Sequence, residues 1–161
     1  MFNAFATVAK LAALPDTAAT DFYAGVFYGW VMKDIKADMD LCFPADAEFS
    51  KLVDDDMMAI KAQDWDKMND IVKKMTDKFE ADVDACKDNK KITDVLTQVG
   101  KISEDFYAQE NWRDVLKKNM DDNKDLINAQ NLQMVQAWEA GFYYEAGKFG
   151  GMQDQIIFKM P

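Results

Sequence analysis

The chain has 161 residues, 49% hydrophobic and 12% aromatic, with only three prolines and seven glycines, a composition that suits one packed domain and excludes a disordered or low-complexity segment. Its 29 acidic against 19 basic residues leave a net charge of -10, which repels phosphates and anionic lipid and so argues against nucleic acid or acidic membranes as partners. Histidine is absent, which removes Ser-His and Cys-His catalysis, histidine zinc sites and Glu-x-x-His di-iron pairs; the expectation is a protein that is not an enzyme and holds neither cofactor nor metal.

Residues 1–19 open with an apolar run in which Phe2, Phe5, Val8, Ala9 and Ala12 share one helical face. The run reads either as an apolar N-terminal arm, capping the core or reaching a neighbour, or as a degenerate signal segment that lacks a basic leader. The stretches Ala4–Leu14 and Tyr23–Met32 fall short of the ~20 apolar residues that span a bilayer, so no transmembrane helix is expected. Residues 20–161 form the helical domain. Thr20 and Asp21 offer an N-cap for a first helix carrying Tyr23, Val26, Phe27, Trp30, Val31, Ile35 and Met39 and ending near Cys42, with Pro44 beyond. Asp46 is positioned to cap a second helix with Phe49, Leu52, Val53 and Ile60, and Gln63-Asp64 mark a break. The third has the cleanest stripe of the chain: Trp65, Met68, Val72, Met75, Phe79, Val83 and Cys86.

Thr93 is expected to cap a fourth helix bearing Val95, Leu96, Val99, Ile102 and Phe106, weakened by Gly100. Trp112, Val115, Leu116 and Met120, then Ile127, Met134, Val135 and Trp138, make one bent helix or two, and Gly141–Phe158 makes the last. No segment alternates with period two over strand length. The fold class is therefore all-α, a bundle of five to six amphipathic helices.

Cys42 and Cys86 end the first and third of these helices, which meet at one pole of an up-down-up bundle, so one disulfide is expected, with two buried thiols as the alternative. A disulfide places the protein in an oxidising compartment, secreted or lumenal. Gly25 and Gly29, and again Gly147 and Gly151, are spaced by four among aromatics. Glycine inside a helix costs about 1 kcal/mol against alanine, and close contact between the first and last helices over glycine faces would offset that; the alternative is that Gly150-Gly151 end a helix. The acidic clusters Asp54-Asp55-Asp56, Asp34, Asp38 and Asp40, and Asp82 and Asp84 lack calcium-loop spacing and read as solvated helix faces, with weak calcium binding as the alternative. Eleven methionines sit largely at core-facing positions, where ordinary packing is expected ahead of a pliable apolar pocket.

The segment Phe22-Tyr23-Ala24-Gly25-Val26-Phe27-Tyr28-Gly29-Trp30, then Cys42 and Cys86, then Ala137-Trp138-Glu139-Ala140-Gly141-Phe142-Tyr143-Tyr144-Glu145-Ala146-Gly147-Lys148-Phe149-Gly150-Gly151, resembles a family of small, predicted secreted, two-cysteine helical proteins of ciliates and other protists. The resemblance spans about residues 20–158 and implies a secreted or lumenal protein without characterised activity or catalytic residues. The functional expectation is a structural or assembly subunit that self-associates or docks on a larger complex; the alternative is a carrier of an apolar small molecule or lipid between helices.

Overall fold

A computed structural model describes residues 13–159. Eight α-helices and one 3-10 turn make up this part, without a strand: α1 (Ala18–Val31), α2 (Lys36–Cys42), α3 (Ala47–Ala62), α4 (Trp65–Val83), the 3-10 turn Asp84–Cys86, α5 (Lys90–Tyr107), α6 (Trp112–Asp122), α7 (Lys124–Glu139) and α8 (Tyr143–Ile157). The all-α expectation holds, with more and shorter helices than the periodicity suggested.

Each extra helix has a local cause. The expected single helix from Thr20 to Cys42 is two, because Met32 enters the left-handed region (φ 57°) and donates its N–H to the Tyr28 carbonyl, a C-terminal cap that stops α1. Asp34 then accepts from the Lys36 N–H and the chain re-enters helix in a new direction, which brings Ile35 and Met39 into the core. α1 starts a turn earlier than Thr20: Ala18 and Ala19 are already helical and buried, and the Asp46 N–H bonds the Asp16 carbonyl. Leu14, Ala18 and Ala19 thus pack on the core while Pro15, Asp16 and Thr17 between them stay exposed; the rest of the expected N-terminal arm, residues 1–12, lies outside the described residues. Asp46 caps α3 through the Phe49 N–H, and Gln63 (φ 56°) ends it. The cap of α5 is Asn89, which receives the Lys91 and Ile92 N–H groups, and Thr93 lies inside the helix with its hydroxyl on the Lys90 carbonyl. α6 and α7 are separate helices that meet at Asn123.

α1 is the axis of the molecule. None of its residues is exposed, so it has no wet face and only a weak amphipathic stripe. Phe22, Phe27 and Val31 meet Phe49, Val53 and Met57 of α3, Met39 of α2, and Ile92 and Val95 of α5 in a single core. Tyr23 stacks on Phe79 of α4 with ring centroids 4.6 Å apart. α8 folds back on α7 through the turn at Gly141, whose φ of 83° suits glycine. At the far end Phe158 stacks on Trp30 (5.3 Å) and meets Phe106 edge-on (5.2 Å), fixing the C-terminal turn against α1 and α5.

Candidate functional site

Three arrangements stand out: a glycine seam, a stapled pole and an open groove. The seam joins α1 to α8. A Cβ placed on Gly147 would lie 1.8 Å from the Phe22 carbonyl oxygen, on Gly151 2.0 Å from that of Val26, on Gly25 2.0 Å from that of Tyr144, and on Gly29 2.2 Å from that of Lys148. Each glycine thus receives a backbone carbonyl where any other residue carries a side chain, and its Cα hydrogens face that oxygen. Phe22 lies opposite Gly147, Val26 opposite Gly151, and the Gln155 amide donates to the Trp30 carbonyl at 2.8 Å, so numbering climbs together and the two helices run parallel. Gly150 lies off the seam, where an added Cβ meets only side chains at 3.5 Å or more, and Gly100 faces open space. The spacing of four is known from membrane helix pairs, but no helix among the described residues is long and apolar enough to cross a membrane.

Cys42 and Cys86 form a disulfide with a Cα separation of 5.1 Å. It ties the end of the short helix α2 to the 3-10 turn after α4, across 44 residues of chain. The same pole is stitched by Asp38, which accepts from the Asn89 amide and from Lys91; these hydrogen bonds hold its carboxyl below the usual carboxylate range.

The acidic clusters come apart in three dimensions. Asp34 binds the Lys36 N–H, Asp40 pairs with Lys36 and Asp84 with Lys87. Asp54, Asp55 and Asp56 are consecutive yet meet three environments: Asp54 accepts the Trp138 indole N–H at 2.9 Å, Asp55 pairs with Lys51 in solvent, and Asp56 is 6% exposed with one carboxylate oxygen lacking any partner. The expected solvated face is therefore corrected for Asp56, whose carboxyl burial pushes up to about 7. The signal lay in the spacing: Phe49, Val53, Asp56 and Ile60 step by three or four along one face. Asp154 on α8 is likewise raised by burial to about 7. Tyr23, partly buried and near both carboxylates, has its hydroxyl pushed up, first by desolvation and then by the charges of Asp56 and Asp154. No group of three or more His, Cys, Asp or Glu poised to hold a metal occurs among the described residues.

Phe49, Phe106, Met39, Met57 and Ile92 are fully buried, and Met75 and Met134 nearly so, which places these side chains in packing. No sequence pattern pointed to the third arrangement, a groove of about 360 Å3 between α3, the α3–α4 turn and α7. Trp65 and Leu132 line it, 45% and 59% exposed, beside the side-chain amides of Gln63, Asn128, Asn131 and Gln136 and the Lys61–Glu139 ion pair. Its parts come from segments more than 60 residues apart, which no local pattern brings together. No family model, curated protein or solved structure matches the chain.

Proposed function

We propose that the chain is a non-enzymatic structural or assembly subunit, a disulfide-stapled helical domain that self-associates or docks on a larger protein complex, working in a secreted or lumenal, oxidising compartment. The observation that carries this reading is two large apolar side chains left exposed on a stapled frame. Leu41, 84% exposed, directly precedes the disulfide cysteine of α2, and Met32, 64% exposed, caps the helix before it. Both lie on the segment that the glycine seam at one side and the disulfide at the other hold in place. Preorganised apolar side chains lose little freedom on docking, so more of their burial appears as affinity. The acidic exterior favours a protein partner over nucleic acid.

Size-exclusion chromatography with light scattering over a wide concentration range tests self-association, and chemical cross-linking in the native source tests docking. The expected result is an assembly in at least one of the two, weakened in the paired variant Met32→Ser, Leu41→Ser with its melting temperature retained. A strict monomer by both measurements, or an assembly indifferent to these substitutions, refutes the reading.

A further inference from the structure

The α3–α7 groove has chemistry of its own, independent of Met32 and Leu41. At about 360 Å3 it falls within the ~300–1,000 Å3 of small-molecule sites. Every other tryptophan is engaged with a neighbouring ring: Trp30 with Phe158, Trp112 with Tyr107 and Trp138 with Tyr143. Trp65 alone has no aromatic partner among the described residues, and its indole is left half in water. Around it the side-chain amides of Gln63, Asn128 and Gln136 form no hydrogen bond within the described chain, and Asn131 uses only its oxygen, accepting from Gln153. Each free amide offers two donors and two lone pairs. Lys61 and Glu139 neutralise each other, so this lining carries no net charge on a chain whose total is -10.

A fitting ligand has one apolar face, a rim of groups that both donate and accept, and no charge. A pyranose ring meets all three demands: its axial C–H bonds face the negative π-surface of an indole, and its vicinal hydroxyls match planar amides two bonds at a time. An apolar peptide helix would bury three amides without partners and the free NH2 of Asn131, a costly arrangement, and anionic ligands are repelled by the surface as a whole. We propose that this groove binds a neutral carbohydrate, with Trp65 as the stacking platform and Gln63, Asn128, Asn131 and Gln136 as hydroxyl partners.

The test is calorimetric titration of the full chain with a panel of neutral trisaccharides built from glucose, galactose, mannose and N-acetylglucosamine. Wild type is compared with Trp65→Ala, Trp65→Phe and Asn128→Ala, with melting curves as the folding control; because both positions are exposed, all three variants should melt close to wild type. The expected result is saturation by at least one sugar, weakened roughly ten-fold by Trp65→Ala, the scale of losing one aromatic stacking platform, with a smaller loss for Trp65→Phe and a measurable one for Asn128→Ala. The proposal is overturned by no saturation at millimolar sugar or by binding that survives Trp65→Ala.

Discussion

Gly147→Ala tests the glycine seam at its tightest point. The new methyl would sit 1.8 Å from the Phe22 carbonyl oxygen, where real Cβ contacts do not fall below 3.0 Å, and the obstacle is backbone that no rotamer change moves aside. α1 and α8 must therefore part by about 1 Å, a gap that forfeits a quarter to a half of the dispersion energy of each contact along the seam. Overpacking of this kind costs ~1–3 kcal/mol, at the upper end when backbone is the obstacle, against a gain of ~1 kcal/mol in helix propensity. The net expectation is a loss of about 2 kcal/mol, or a melting temperature lower by ~4–8 °C for a domain of this size. Gly100→Ala supplies the control, since its Cβ meets nothing within 4 Å; there the propensity term acts alone and stability should rise by ~0.5–1 kcal/mol. Thermal and urea unfolding of the two variants should therefore give opposite signs. The double variant Gly25→Ala, Gly147→Ala should lose less than the sum of the singles by more than ~0.5 kcal/mol, because a seam already opened is opened once. A Gly147→Ala protein that melts at or above wild type would refute the close parallel packing of α1 and α8.

Reducing the disulfide should lower stability by about 4 kcal/mol for a closed loop of 44 residues, read as a fall in the urea midpoint; an unchanged midpoint would show that the crosslink restricts nothing in the unfolded chain. Asp56 titrates near 7 in the fold because it is buried, against ~3.9 when unfolded. The folded state thus holds this proton more tightly, so the contribution of this one group to stability is fully present below pH ~4 and declines as pH rises through 7, by at most ~4 kcal/mol. Asp56→Asn should flatten that decline and be the more stable protein at alkaline pH, and urea titrations in which the variant tracks wild type at every pH would contradict it. Met32→Gly should raise stability by ~0.5–1 kcal/mol, since the cap lies at φ 57° with its side chain exposed; a lower melting temperature would mean that the methionine side chain contributes packing worth more than the backbone strain.

Local spacing carried much of this protein. The stripe from Trp65 to Val83 became α4, Asp46 became the cap of α3, the break at Gln63-Asp64 fell where it was expected, and Cys42 and Cys86 are joined. These features depend on residues within a turn or two of each other, or on two groups with one chemistry between them, and side-chain pattern encodes both directly. The glycine pairs announced a contact by their cost in helix propensity, but only the folded chain decided that α1 and α8 run parallel and interlock carbonyl to glycine. The end of α1 at Met32 was invisible because methionine is a good helix former and a poor left-handed residue; the burial of Ile35 and Met39 after the turn outweighs that preference. Asp56 looked like its two neighbours because charge is read residue by residue, whereas burial depends on which face α3 turns towards α1. The Trp65 groove joins an α3–α4 turn to a helix more than 60 residues away. Periodicity says which face of a helix is covered, and only packing says by what.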